Sequence, residues 1–283
     1  MDVSRVLDDL VAEQHALDLV VGDLTDEQLA TPTPSPRWTV TDQLGHLTYF
    51  DTSATLAIVD PVAFGEHKAE LMSSFSDDIA VDEATLGTFR ERTPASQLLT
   101  WRTARRDLEA AARQLADDSR VEWYGPSMGS KSFLTARLME VWAHGQDICD
   151  ALGVERAPTD RIRHIAQLGV ITRAWSYLVR GEQPPEGDVR VELTAPSGEI
   201  WSWGPEDASD TIVGPANDFC LVVTQRRHVG DTDLIVVGGP AEDWMSKAQA
   251  FAGTPSTGPA PSSSSASSSA PAPAPASASK GSD

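Results

Sequence analysis

The stretch KSFLTARLMEVWAHGQDICDALG, residues 131–153, decides the fold of this chain. It contains no proline, is apolar on nearly all sides of Glu140 and His144, and closes on a glycine. It therefore predicts a long central helix that ends at Gly153. Glu140 and His144 are four residues apart, and a helix places such side chains on one face, about 5–6 Å apart. One divalent cation can bridge a carboxylate and an imidazole at this separation, so the pair predicts half of a metal site.

A second stretch, RWTVTDQLGHLTYFD, residues 37–51, predicts the helix that completes this site. Thr39 followed three residues later by Asp42 is a capping-box pattern, which marks the start of a helix. The helix is expected to run to about Val59, with His46 two turns in. If the two helices are neighbours in a bundle, His46 joins the pair on the other helix.

The candidate metal ligands are therefore His46, Glu140 and His144, a two-histidine, one-carboxylate set that leaves positions open for water or substrate. Asp147 and Asp42 each lie about one turn from a histidine, as a further ligand or as an acceptor for an imidazole N–H. The alternative is structural, because isolated helical histidines and i,i+4 pairs are common without a metal. The apolar neighbours of Glu140 and His144 favour the metal, because a carboxylate and an imidazole inside a bundle need a partner.

The overall composition argues against several classes of protein. The 283 residues include 22 Lys and Arg against 42 Asp and Glu, a net charge of −20, so nucleic acid is not an expected partner. The acidic N-terminus and the lack of a long apolar run indicate a cytoplasmic protein with no membrane association. Cys149 and Cys220 show no CxxC spacing, and both are expected to be reduced, buried thiols.

The periodicity of the chain divides it into two predicted domains and a tail. Residues 1–183 are expected to form an all-α domain in which His15 and His164 lie on the surface. Further helices are predicted there at residues 3–21, 61–75, 82–92, 94–118 and 159–180, with an extended connector at residues 31–36. Beyond residue 183 apolar residues alternate with polar ones, as in β-strands.

Residues 187–253 are predicted to form a small α+β domain. A β-hairpin at residues 189–203 is followed by a strand at 211–213, a helix at 215–225, a strand at 233–237 and a helix at 240–251. Residues 254–283 are rich in Ser, Ala and Pro and are expected to be disordered, because they bury too little apolar surface to offset their chain entropy.

The pattern W-T-V-x-D-x-L-x-H-L at residues 38–47, followed by E-x-x-x-H at residues 140–144, resembles the N-terminal metal-binding domain of the mycothiol-dependent maleylpyruvate isomerase family and the wider group of DinB-like bundles. The resemblance implies a DinB-like four-helix bundle with extra helices, in which His46, Glu140 and His144 bind a divalent metal, expected to be zinc. It also implies a catalytic arginine from the C-terminal domain, for which Arg226 and Arg227 are the candidates. The alternative is that both arginines form a basic helix end that complements the helix dipole.

These observations predict a metal-dependent thiol transferase or isomerase that acts on a small electrophile, with mycothiol as the cosubstrate that the resemblance implies. The expected partners are a small-molecule substrate and a low-molecular-weight thiol, and the expected state is a monomer or a homodimer. Two alternatives remain open. One is a metal-binding or small-ligand-binding protein without turnover, and the other is a metal-assisted hydrolase that uses bound water.

Overall fold

The computed structural model describes residues 2–73 and 78–262. Most of the predicted tail, residues 263–283, lies outside the described residues. The first part of the chain is helical apart from one short hairpin. Its elements are α1 (Val3–Val21), α2 (Asp26–Leu29), α3 (Val40–Val59), α4 (Pro61–Ser73), α5 (Asp78–Arg90), α6 (Pro94–Ala112), β1 (Arg120–Val121), β2 (Met128–Gly129), α7 (Ser130–Leu152), α8 (Arg163–Ile171) and α9 (Arg173–Leu178).

Two of the long helices, α1 and α3, pack against α7. Helix α3 lies against α6 and α7, and α1 lies against α7 and α6. Fourteen of the 23 residues of α7 are buried, so this helix is central, as its composition predicts. The side chains between the helices are mainly leucines, each of which stabilises the fold by about 1.5–3 kcal/mol when buried. They include Leu10, Leu17, Leu44, Leu47, Trp101, Leu108, Leu134 and Leu138.

Two helix-end predictions are confirmed by local geometry. Thr39 caps α3, because its hydroxyl accepts the Asp42 N–H while the Asp42 carboxylate accepts the Thr39 N–H. Helix α7 ends where Gly153 adopts φ 64° and ψ 30°, a left-handed conformation that favours glycine. Both helices that carry the candidate ligands therefore start or stop where the sequence indicates.

Three predictions for the helical part are wrong. Helix α6 ends at Ala112 instead of continuing to residue 118, because polar groups beyond it form turns; the Ser119 hydroxyl, for example, accepts the Ala116 N–H. The helix predicted at residues 159–180 is interrupted at Thr172, whose hydroxyl donates to the Leu168 carbonyl. His164 is buried rather than on the surface, and its Nε2 lies 2.9 Å from a carboxylate oxygen of Asp9.

The C-terminal part contains a four-stranded sheet with two helices packed against it. In the described residues the strand order is β4-β3-β5-β6, with β3 parallel to β5 and the other neighbours antiparallel. The predicted β3–β4 hairpin is confirmed. The elements are β3 (Val189–Thr194), β4 (Ile200–Trp203), β5 (Asp210–Pro215), α10 (Ala216–Val223), β6 (Ile235–Val237) and α11 (Gly239–Lys247).

A close approach between α8 and α10 positions the end of α10 near the ligand-bearing helices. A Cβ on Gly169 of α8 would lie 2.8 Å from Val223 and 3.0 Å from Phe219, so only glycine permits this contact without a shift. Cys149 and Cys220 are both buried and free, as predicted. No helix in the described part of the chain is both long enough and apolar enough to cross a membrane.

Candidate metal centre

The three predicted ligands meet at one point. His46 comes from α3, whereas Glu140 and His144 come from successive turns of α7. One ligand atom from each lies within 4.8 Å of the others. The Glu140 Oε2 atom is 3.3 Å from His46 Nε2 and 3.0 Å from His144 Nε2. The fold thus brings together the set that the two sequence stretches indicate, while the role of these side chains as ligands stays a prediction.

Hydrogen bonds set the orientation of the His144 ring. The Gln43 Oε1 atom lies 2.6 Å from His144 Nδ1, and Gln43 Nε2 donates to the Thr33 hydroxyl at 2.9 Å. That hydroxyl in turn donates to the Trp38 carbonyl at 3.0 Å. This chain leaves Gln43 Oε1 as an acceptor, so Nδ1 carries the proton and Nε2 presents a lone pair towards Glu140.

The protonation states around this point suit cation binding. Burial, together with the neighbouring His144, lowers the pKa of His46 to about 4, although Glu140 acts in the opposite direction. Burial alone would raise the pKa of Glu140, but the imidazoles of His144 and His46 beside its carboxylate bring it well below its usual value. Near neutral pH the cluster therefore holds a neutral His46 imidazole and a charged carboxylate, the forms that coordinate metals.

Sequence reasoning missed Gln43 and misjudged the two aspartates. Asp42 does not reach His46, because its carboxylate accepts the Thr39 N–H and lies 2.7 Å from the Arg90 Nε atom. Asp147 Oδ2 is 3.9 Å from His144 Nδ1, too far for a hydrogen bond. Gln43, rather than either aspartate, provides the oxygen that accepts a hydrogen bond from a candidate ligand, His144. Its position three residues before a candidate ligand on α3, on the same helix face, is the signal that could have identified it.

Arg226 reaches this centre from the C-terminal part of the chain. Helix α10 ends in a left-handed turn in which Gln225 has φ 59° and the Arg226 N–H donates to the Leu221 carbonyl at 2.7 Å. The guanidinium then pairs with Asp147 of α7 through Nε at 3.2 Å and Nη2 at 2.8 Å. Its Nη1 donates to the Thr224 carbonyl at 2.6 Å.

Arg227, the other predicted catalytic arginine, lies elsewhere. Its guanidinium forms a two-point ion pair with Asp150, with both N–O distances at 2.7 Å. It lines a different cavity, beside His228 and Met245. Its placement therefore gives no support to a role at the metal centre.

The three candidate ligands and Arg226 line a cavity of about 400 Å³. Trp38 covers one side of both imidazoles, with ring centroids 5.1 Å from His46 and 5.9 Å from His144. The Trp38 indole N–H donates to Asp82 at 3.1 Å, which fixes the indole in this position. Trp38 therefore forms an ordered aromatic wall of the cavity beside both imidazoles.

Gln43→Leu is expected to weaken metal binding about 10- to 100-fold, because outer partners of metal-bound histidines typically contribute that much. The leucine keeps the volume but removes the acceptor for His144 Nδ1. The dissociation constant of the metal is measured by competition with a chromogenic chelator. Gln146→Leu on α7 is the matched control, because Gln146 bonds Asp150 and not a candidate ligand. Wild-type affinity in Gln43→Leu would contradict the assignment of the acceptor.

The fold and the site define the class of the protein: a helix-rich protein whose His–Glu–His cluster faces a cavity shared with an arginine from a sheet-containing C-terminal part. Residues 10–149 match the family model described as the mycothiol maleylpyruvate isomerase N-terminal domain. The chain belongs to this family. Residues 185–237, which include all four strands of the larger sheet, match a model described as wyosine base formation.

Relatives and solved structures agree with this membership. An uncharacterised protein of Mycobacterium tuberculosis, found in strains H37Rv and CDC 1551, is 44% identical over 257 residues, covering 88% of this chain and 96% of the relative. A crystal structure of the mycothiol-dependent maleylpyruvate isomerase superposes with a TM-score of 0.55 at 15% identity, covering 83% of this chain and 93% of that one. A mutant of that enzyme gives 0.54, covering 80% and 90%. The structural likeness establishes a shared fold.

Proposed function

We propose that this chain is a divalent-metal-dependent thiol transferase or isomerase, with zinc bound by His46, Glu140 and His144. The observation that carries the proposal is the convergence of the three donor atoms within 4.8 Å at the wall of a cavity. Mycothiol, or a related low-molecular-weight thiol, is the proposed cosubstrate, by analogy with the enzyme named in the family model and in the solved structures. The other proposed reactant is a small electrophile.

The donor set fits a divalent cation. With the His144 Nδ1 proton donated to Gln43, its Nε2 lone pair faces a Glu140 oxygen 3.0 Å away. Two electron-rich atoms at this distance need a positive charge between them, which a cation supplies. Two imidazoles and one carboxylate are a ligand set that zinc uses in catalytic sites, where it retains an open position. A divalent cation bound there lowers the pKa of a coordinated thiol, so that the thiolate is available near neutral pH.

Arg226 is proposed to bind an oxygen atom of a reactant in the same cavity. A guanidinium has five N–H groups, and three of those of Arg226 are used by Asp147 and by the Thr224 carbonyl. The remaining two can donate to a carboxylate or carbonyl oxygen. Because Asp147 neutralises the charge and holds the side chain, the guanidinium is ordered before a reactant arrives.

Arg226→Met is expected to lower kcat/KM about 10- to 100-fold while the metal content stays at the wild-type level. The estimate corresponds to a hydrogen bond from a charged group, about 1.5–3 kcal/mol. Activity is measured as consumption of thiol in the presence of an electrophile, and metal by elemental analysis. Arg227→Met is the control and should retain activity, because Arg227 pairs with Asp150 outside the cavity. Equal losses in both variants would contradict the role proposed for Arg226.

In the proposed architecture, the metal ligands and Arg226 belong to different domains. We propose that residues 1–183 are a DinB-like four-helix bundle domain built from α1, α3, α6 and α7 with the other helices added, and that residues 187–253 are a small α+β domain. The packing of the four long helices supports the first assignment, and the separate sheet supports the second. We further propose that the protein acts in the cytoplasm as a monomer or homodimer.

The function is tested with zinc-loaded protein, mycothiol and an α,β-unsaturated carbonyl compound. Thiol consumption above the uncatalysed rate, lost when the metal is removed with a chelator and restored by zinc, is the expected result. Metal binding without thiol consumption would favour a non-catalytic binding protein instead. Ester cleavage in the absence of thiol would favour the metal-assisted hydrolase. Absence of bound metal from protein loaded at neutral pH would remove all three.

A further inference from the structure

The candidate metal centre lies between two cavities. The cavity that contains Arg226 occupies one side, and a second cavity of about 430 Å³ occupies the other. His46 and Glu140 line both of them, so these two side chains form a shared wall. A reaction between two molecules bound side by side can take place at such a wall, because both reach the same atoms.

The second cavity differs in chemistry from the first. The first combines apolar side chains such as Trp38, Met139 and Phe251 with the polar or charged side chains of Ser35, Arg37, Asp82 and Arg226. The second, here called the aromatic cavity, is enclosed mainly by six apolar or aromatic side chains. They are Phe50, Leu71, Met72, Trp123, Tyr124 and Trp175.

Ring contacts hold the aromatic wall in place. The Trp123 and Tyr124 rings lie 4.9 Å apart, and Phe50 meets Tyr124 edge-on at 5.6 Å. Trp123 also stacks on Phe64 at 5.6 Å. The aromatic cavity is thus built before any ligand binds, and offset or edge-on ring contacts of this kind are available to an aromatic guest.

The positive charge of the arginine that lines the aromatic cavity is neutralised by a buried aspartate. Arg137 lines it, but its Nε and Nη2 atoms lie 3.1 and 2.8 Å from Asp51 Oδ1, and that carboxylate is fully buried. A buried, paired guanidinium does not attract a carboxylate as an exposed one does. The walls therefore favour an uncharged, apolar guest over a compact anion.

We propose that the aromatic cavity binds the electrophile and that this electrophile carries an uncharged aryl or comparably bulky apolar group, while the thiol occupies the cavity of Arg226. This inference rests on the proposed thiol-dependent function. For an aryl enone, the thiolate sulfur forms a bond to the β carbon, the C=C π bond breaks, and the thiol proton ends on the α carbon. The apolar group lies in the aromatic cavity and the reacting carbon lies at the wall of His46 and Glu140.

The test compares two enones that differ only in the apolar group. Benzylideneacetone carries a phenyl group where 3-penten-2-one carries a methyl group. Binding is measured separately by calorimetry with 4-phenylbutan-2-one, which cannot add a thiol. The zinc-loaded full chain is used throughout. Relative to the uncatalysed rates, the phenyl compound is expected to react about 10- to 100-fold better, because a phenyl group buries far more apolar surface than a methyl group.

Two variants alter the aromatic cavity at positions that tolerate change. Gly125 lines it, and a Cβ there would meet nothing within 4 Å, so Gly125→Trp adds bulk at the edge of the cavity with no clash at Cβ. Met72 is 40% exposed at its edge, so Met72→Asp introduces a charge at little structural cost. Gly65→Trp is the matched control, because Gly65 of α4 is equally open but lies outside the aromatic cavity.

Both cavity variants are expected to weaken binding of 4-phenylbutan-2-one at least 10-fold, with metal content and thiol affinity unchanged, whereas Gly65→Trp leaves it unaltered. Unchanged binding in both cavity variants, or a preference for 3-penten-2-one in an active enzyme, would overturn the inference and leave the thiol-dependent function standing. If the cavity variants bind 4-phenylbutan-2-one more weakly but neither the wild type nor any variant consumes thiol, the proposed function is wrong. The aromatic cavity would then remain an aryl-binding site.

Discussion

His144→Ala is expected to lower the affinity for divalent metal by more than about 100-fold, since even the loss of an outer partner costs 10- to 100-fold. The change removes the imidazole whose Nε2 lies 3.0 Å from Glu140 and leaves only two of the three candidate ligands. Protein loaded with zinc and then dialysed should retain about one equivalent in the wild type and almost none in the variant. Elemental analysis after dialysis measures the difference.

Two comparisons make this result specific. His15→Ala removes an exposed histidine of α1 and should leave the metal content unchanged. Circular dichroism shows whether His144→Ala keeps its helices, so that loss of metal is distinguished from loss of fold. A folded His144→Ala protein that binds zinc as tightly as the wild type would disprove the assignment of the metal centre.

Asp51→Ala is expected to reduce the free energy of unfolding by about 3–5 kcal/mol, the usual consequence of removing one partner from a buried ion pair. Asp51 is fully buried, and its carboxylate is the partner of the Arg137 guanidinium, whose side chain is 4% exposed. Without the carboxylate, a positive charge stays buried between α3 and α7. Urea denaturation at pH 7, monitored by circular dichroism, measures the change.

The matched control replaces both members of the pair. Asp51→Leu combined with Arg137→Met should be markedly more stable than Asp51→Ala, because hydrophobic substitution of a whole buried pair is often neutral. The comparison separates the cost of an unpaired charge from the value of the pair itself. A loss of less than about 1 kcal/mol in Asp51→Ala would show that Arg137 finds another partner or reaches water.

The parts of the fold that were predicted correctly have local causes. The capping box at Thr39, the left-handed Gly153 and the alternation that begins at Val189 each act within a few residues, so they can be recognised in the sequence. The break at Thr172 was missed because a threonine hydroxyl that bonds back to the preceding turn is compatible with either a continuous or an interrupted helix.

The candidate site also combines features that the sequence predicts with features that depend on packing. Glu140 and His144 share a helix, so their spacing predicts their proximity, whereas the approach of His46 depends on the packing of α3 against α7. The roles of Gln43 and Arg226 depend on still finer details. The pairing of Arg226 with Asp147 and of Gln43 with His144 depends on side-chain rotamers and long-range packing. Neither of these produces a recognisable pattern in the sequence.

The order of the site residues along the chain has a consequence for synthesis. His46, Glu140 and His144 lie on helices α3 and α7, both of which end before residue 153, whereas Arg226 follows the sheet strands β3 to β5. All three proposed metal ligands are therefore synthesised before Arg226. Under the proposed roles, the cation-binding residues are synthesised first, and the arginine that binds a reactant is added with the last third of the chain.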